Sequence, residues 1–132
     1  MIDIDHFKLY NDHFVHQQGD TCLTQVALSI RDSLRRPADI VARYGGEEFV
    51  VLFTGAGGED ALQVAETMRE GVMNGGLHAK GKPVKITVSG GIGVFAEGDT
   101  PEVVFERADR AMYEAKRQGK NCVIIGWTCA FS

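Results

Sequence analysis

Ile40-Val41-Ala42-Arg43-Tyr44-Gly45-Gly46-Glu47-Glu48-Phe49-Val50-Val51-Leu52-Phe53 is the stretch whose pattern decides the architecture. Runs rich in branched and aromatic residues flank two glycines, which predicts a β-hairpin over residues 40–44 and 49–53. Gly45 and Gly46 are expected to supply the positive φ that a tight turn demands. Adjacent acids at such a tip, Glu47 and Glu48, repel each other unless a cation stands between them.

A second source of carboxylates lies at the start of the chain. Ile2 and Ile4 alternate with Asp3 and Asp5, a period of two that predicts a strand delivering acids at its C-terminal end. Carboxylates from two neighbouring strands are what a hard divalent cation such as Mg²⁺ requires. The outline is therefore a metal-phosphate site.

Working outward, a short helix or turn is expected over residues 6–12. An amphipathic helix with Leu23, Val26, Ala27, Ile30 and Leu34 inward should begin near Asp20 or Thr21 and stop before Pro37. Ala61, Leu62, Ala65, Met68 and Val72 mark a further helix ending at Asn74-Gly75-Gly76. Val84, Ile86 and Val88 predict a strand running into Ser89-Gly90-Gly91, where paired glycines imply a bulge or a close backbone approach. Thr100 as N-cap and Pro101 at the first position open the last long helix, with Val104, Phe105, Ala108, Met112 and Ala115 inward and Gly119 at its end. Residues 123–125 close with a strand. The order β-α-β-β-α-β-α-β predicts an α/β sandwich of the α+β kind, a central and mostly antiparallel sheet flanked by helices.

Composition bounds the function. The 132 residues are 44% hydrophobic and 24% charged, which fits one domain with a proper core. A formal charge of −4 argues against the broad basic surface that DNA or RNA binding needs. Cys22, Cys122 and Cys129 are odd in number and show no metal-ligand spacing, so free thiols in a reducing cytoplasm are expected. Apolar runs fall short of a membrane span, and Asp3 and Asp5 stand where a signal peptide would be basic.

The residues resemble the GGDEF diguanylate cyclases in their GGEEF variant. The elements that carry the likeness are Asp3-Ile4-Asp5-His6-Phe7-Lys8, Asn11-Asp12, His16 with Gly19-Asp20, Arg36-Pro37-Ala38-Asp39, Arg43 through Phe49, and Ala108-Asp109 to Tyr113 with Ala115-Lys116 and Gly119-Lys120-Asn121. Six elements in register cover nearly the whole chain. The resemblance implies a fold like the nucleotidyl cyclase and polymerase palm, spanning residues 1–126, with residues 127–132 an unassigned tail. It also implies a bacterial signalling transferase in which two subunits of a homodimer each present one GTP and condense them to cyclic di-GMP and pyrophosphate. Two Mg²⁺ ions per site, or Mn²⁺, would lower the pKa of the attacking 3′-hydroxyl and neutralise the leaving group.

Carried over residue by residue, the resemblance makes Asp3, Glu47 and the carbonyl of Ile4 metal ligands, with Glu47 the proton acceptor and Glu48 a second catalytic acid. Asn11 and Asp20 match the pair that reads guanine, since a carboxylate accepting from guanine N–H groups rejects adenine. Phe7 and Lys8 would cradle phosphates, and His16 would touch the nucleotide. Lys116 and Lys120 match the cations at the triphosphate, Lys120 standing where arginine is usual. Arg36 and Asp39 match a product-binding inhibitory site, to which Arg69 would add a contact.

Against the family pattern, the chain starts inside the first strand, without the helix and D-x-L-T-G-L-x-N-R-like segment that precede it in full domains. That reads as an N-terminally truncated piece of a larger protein with an upstream sensory module, whose parent could be anchored to a membrane. The competing reading is a catalytically idle domain that binds cyclic di-GMP or GTP for regulation.

Overall fold

The computed structural model describes residues 1–13, 16–76, 78–79 and 81–127, with the side chains of residues 16–18 and 79 outside the description. The elements run β1 (Ile2–Ile4), α1 (Phe7–His13), α2 (His16–Ser33), β2 (Ile40–Arg43), β3 (Glu48–Leu52), α3 (Gly58–Met73), β4 (His78–Ala79), β5 (Lys82–Pro83), β6 (Val88–Gly93), α4 (Pro101–Arg117) and β7 (Val123–Gly126). Five strands form one sheet in the order β2-β3-β1-β6-β7. Its pairings are antiparallel except for β6 with β7, which are parallel and joined through α4 as a parallel pair requires. The mixed, mostly antiparallel sheet flanked by helices is the architecture expected from sequence.

Strand alternation sorts the chemistry between two faces. Ile2, Ile4, Phe49 and Val88 turn toward α2 and α3 and join Cys22, Leu23, Val26, Ile30, Met68 and Val72 in the core. Ile30 and Met68 are fully buried, and each such side chain stabilises the fold by about 1.5–3 kcal/mol. The other face, which carries Asp3, is covered by α4. That helix starts as expected, with Thr100 Oγ1 accepting from Val103 N at 3.3 Å and Pro101 in its first turn. Its buried residues Val104, Ala108, Ala111, Met112 and Ala115 follow helical spacing.

The glycine pair in β6 is a close approach rather than a bulge. A Cβ on Gly91 would overlap the carbonyl oxygen of Ala108 and the amide nitrogen of Met112, so α4 lies backbone to backbone on the strand. Three expectations need correction. Gly45 and Gly46 are not among the residues with positive φ, because the connection spans residues 44–47 and closes without left-handed geometry. Arg43 holds it instead, its Nε and Nη2 donating to the Gly46 carbonyl at 3.1 and 2.8 Å. The fourth strand of the main sheet begins at Val88, not Val84, because β1 ends at Ile4 opposite Val88; beyond it only the Asp5 amide, donating to Thr87 O at 2.9 Å, continues the pairing. A small β4-β5 hairpin, unread in sequence, occupies the approach to it. Finally, α2 begins at His16, a turn earlier than expected.

Cys22 and Cys122 are free, and burial pushes the Cys22 thiol up to about 11; Cys129 lies outside the described residues. Among the described residues no helix is long and apolar enough to cross a membrane.

Candidate active site

Register brings the two acid-bearing segments together. Asp3 on β1 stands directly opposite Glu48 on β3, so both side chains share the face beneath α4, and Glu47 follows at the adjoining end of the turn. The amide of Ile4 donates to the Glu47 carbonyl at 3.2 Å, which fixes the tip of the hairpin to β1. From the other side, the ring of Tyr44 stacks on Phe105 of α4 at 5.9 Å. The turn is therefore held by strand and helix at once.

Crowded carboxylates shift one another. Burial, then the charge of Asp3, raises the pKa of Glu47, with Lys116 opposing. Glu48 is raised by burial first, then by Asp3, Asp109 and Glu47, and it lies within hydrogen-bonding reach of the Asp3 carboxyl. A glutamate raised in this way is a better proton acceptor near neutrality than a free one.

Lys116, projecting from the last turn of α4, answers part of that charge. Its Nζ donates to Asp3 Oδ1 at 3.0 Å and to Asp5 Oδ1 at 2.8 Å. Asp5 is 3% exposed and accepts three more bonds: from Ser89 Oγ at 2.7 Å, Thr87 Oγ1 at 2.8 Å and the Asn121 amide at 3.0 Å. These partners hold the Asp5 carboxyl below the usual aspartate range against the opposing effect of burial. With each oxygen engaged twice, Asp5 anchors Lys116 instead of ligating a metal.

Sequence reasoning counted Asp5 as a carboxylate source and gave Asn121 no role. The signal was present in the Gly119-Lys120-Asn121 turn, where Lys120 and Asn121 take left-handed φ values of 67° and 49°. In that conformation the Lys120 amide closes the helix on Ala115 O at 3.0 Å, and the next amide turns to Asp5.

Among the described residues no three acid, histidine or cysteine side chains meet at ligating distance. The donor chemistry nevertheless fits a divalent cation: Asp3, Glu47 and Glu48 offer hard oxygens whose mutual repulsion such an ion would relieve.

Asn11 and Asp20, the residues expected to read guanine, lie on the helical side. A Cβ on Gly19 would overlap Asn11 Oδ1, so α1 and α2 touch at this point, one residue before the exposed Asp20. Phe7 and the exposed Lys8 form the first turn of α1, entered through His6 at a φ of 57°. The side chain of His16 lies outside the described residues.

Arg36 and Asp39 stand at the opposite end of β3. Arg36 Nη1 donates to Thr54 O at 2.7 Å, and Thr54 N donates to Asp39 Oδ1 at 3.1 Å. The structure does not bring Arg69 to them. It lies eleven residues along α3 from Gly58, ~16 Å at 1.5 Å per residue, and is bound to Glu66 and Asn121. A cavity of about 600 Å³ opens among the ends of β3 and β6 and the first turns of α3 and α4. Its lining, including Val50, Ile92, Val104 and Phe105, is apolar and offers a triphosphate little, so the carboxylate end remains the candidate site.

Known proteins resemble this chain over most of its length. The family model described as diguanylate cyclase, GGDEF domain, matches residues 1–122. Diguanylate cyclase DgcP of Pseudomonas aeruginosa is 46% identical over 121 residues, which are 92% of this chain but 18% of that relative. The chain thus spans less than a fifth of its length. Among solved structures, the GGDEF domain of TpbB from Pseudomonas aeruginosa superposes with a TM-score of 0.89 at 38% identity, covering 97% of this chain and 80% of that one. The GGDEF domain of DgcB from Caulobacter crescentus, solved in complex with c-di-GMP, gives 0.88 at 36% identity over 95% and 74%. Those neighbours share the palm-like sheet and helices. With a family match running from Met1 through Cys122 and the GGEEF turn set against Asp3, this chain belongs to the GGDEF diguanylate cyclase family.

Proposed function

We propose that this domain is a diguanylate cyclase module that condenses two GTP into cyclic di-GMP and pyrophosphate, one GTP presented by each subunit of a homodimer. The observation that carries the reading is the meeting of Asp3 with Glu48 on one face and with Glu47 at the adjoining turn, where burial and mutual repulsion raise both glutamates. Asp3, Glu47 and the Ile4 carbonyl would hold Mg²⁺, or Mn²⁺, which when bound supplies charge neutralisation and a more acidic hydroxyl. Glu47 takes the proton of the attacking 3′-hydroxyl, and Glu48 supports it through Asp3.

The remaining residues bind and orient. Lys116 carries positive charge to the carboxylate end, and Lys120 follows it in the left-handed turn; in this reading both serve the polyphosphate tail. Lys8 and Phe7 border the same end at the start of α1. Asn11 and Asp20 read guanine. Gly46 has open space where a Cβ would stand and no need of positive φ, so its bareness serves a neighbour outside the chain, for which the nucleotide is the fitting occupant. Product held by Arg36 and Asp39 would oppose synthesis, and a sensory module linked to this domain would act by bringing two copies together.

Incubation of the protein with GTP and Mg²⁺, followed by mass analysis, tests the reading. Cyclic di-GMP formed at a rate that rises more than linearly with protein concentration is expected. Bound GTP with no dinucleotide product would make this an idle regulatory domain.

A further inference from the structure

Arg69 is a cation on α3 that the proposed chemistry does not use, and its surroundings give it a different task. Its side chain is 15% exposed. Nε and Nη2 both engage Glu66 Oε2, at 3.0 and 2.9 Å, while Nη1 donates to Asn121 Oδ1 at 2.9 Å. The amide nitrogen of the same Asn121 side chain donates to Met73 Sδ at 3.4 Å. Both ends of the Asn121 side chain are thus gripped by α3.

What that grip fixes is a backbone. Asn121 sits at a φ of 49°, a region that non-glycine residues enter at a cost unless neighbours hold them there. In that conformation its main-chain N–H reaches Asp5 Oδ2 at 3.0 Å, and Asp5 presents its other oxygen to Lys116 Nζ at 2.8 Å. Four elements are linked in series: Arg69 on α3, Asn121 before β7, Asp5 after β1 and Lys116 on α4.

We propose that Arg69 is a positioning residue for Lys116: by clamping Asn121 in its left-handed conformation it completes the acceptor arrangement of Asp5 that holds the Lys116 ammonium beside Asp3. The proposal deepens the cyclase reading and rests on it only for the consequence in turnover. The relay itself is a property of the folded chain. A guanidinium suits the task because it can serve Glu66 and Asn121 in one plane, which an ammonium cannot.

The test measures Lys116 directly, without GTP or metal. The protein is treated with an amine-acylating reagent, and modification of Lys116 is followed by peptide mass spectrometry against the exposed Lys85 as internal reference. In Arg69→Ala the Lys116 rate should rise several-fold relative to Lys85, and Asn121→Ala should do the same. The double variant should be no worse than either single one, because both break the same link. Where the parent turns over GTP, kcat/KM in Arg69→Ala should fall about ten- to a hundredfold, as loss of an orienting partner does elsewhere. Asn121→Gly in the Arg69→Ala background should recover part of that loss, since glycine adopts the left-handed turn unaided.

An unchanged Lys116 rate in a folded Arg69→Ala protein overturns the relay whatever the activity. A parent with no turnover but with the expected labelling change would overturn the cyclase reading and leave the relay standing. Should Arg69→Ala not fold, Arg69→Lys and Asn121→Ala carry the same labelling comparison, and parental rates in both would overturn the proposal.

Discussion

Lys116 Nζ and Asp5 Oδ1 stand 2.8 Å apart, joining the last turn of α4 to the end of β1. Asp5 is buried, so this pair is screened little by solvent and fixes where the positive charge of the site begins. The neighbouring Asp3 has the same ammonium at 3.0 Å and the Glu48 carboxyl across the sheet, so one carboxylate anchors and the other works.

Glu47→Gln keeps the size of the side chain and removes both its charge and its basicity. Several kcal/mol of charge stabilisation are at stake, at about 1.4 kcal/mol per tenfold in rate, so product formation should fall at least about a hundredfold with an unchanged circular dichroism spectrum. Turnover near the parental rate would take Glu47 out of the chemistry.

Asp5→Asn should lower stability by about 1–3 kcal/mol, because an amide replaces an acceptor that meets four donors. The folded pKa of Asp5 is depressed, so its contribution is present above the unfolded value of about 3.9 and is lost as pH falls through the folded value. Urea melts at several pH values should therefore show a parent-variant difference that is largest near neutrality and shrinks on acidification below pH 4. A difference independent of pH would mean that packing, not charge, explains the loss.

In the proposed reading, base choice depends on the α1-α2 contact that places Asn11 beside Asp20. Asp20→Asn should narrow the preference for GTP over ATP by about 1–3 kcal/mol, measured as the ratio of the two binding constants. Gly19→Ala is a second route to the same effect, since its methyl would displace Asn11 Oδ1 while helix propensity improves. If neither variant alters the ratio, guanine is read elsewhere.

For Arg36→Ala, titration calorimetry should show loss of cyclic di-GMP binding with GTP binding retained. The residue is exposed and its bond to Thr54 O is a surface contact, so stability should change by no more than about 0.5 kcal/mol. Dinucleotide bound as tightly as in the parent would seat the ligand away from this turn.

Gly91→Ala should cost stability at or beyond the upper end of the about 1–3 kcal/mol typical of overpacking. The atoms in the way belong to the α4 backbone, at Ala108 and Met112, and cannot rotate aside. Thermal unfolding would show it, and a parental midpoint would mean that α4 can lift from the sheet.

Much of this was legible in the residues themselves. Alternation at Ile2-Asp3-Ile4-Asp5 separated core from site, and Thr100-Pro101 marked the start of α4, because both signals are local. The role of Asp5 was not legible, since its donors come from residues 87, 89, 116 and 121, which only the fold assembles. Arg69 was misplaced for a related reason: position along the chain does not say which end of a helix faces which end of a sheet. Gly45 and Gly46 do not take the positive φ that a tight turn suggests; what the turn presents is open space at Gly46 and, at Gly45, a position beside the Glu48 side chain.

The glycines of β6 and β7 make α4 a shelf of fixed height. Gly93 would place a Cβ 2.5 Å from Val104 O and Gly126 one 2.9 Å from Arg107 O, so the helix rests on main chain along its length. No rotamer can act as a shim there, and Lys116 at the far end inherits that elevation. Variants at Gly93 or Gly126, which pack on Val104 and Arg107 rather than on Asp3, Glu47 or Glu48, would then score in an activity screen as faults of the catalytic apparatus. Distance from the GGEEF turn is a poor guide to innocence in this domain.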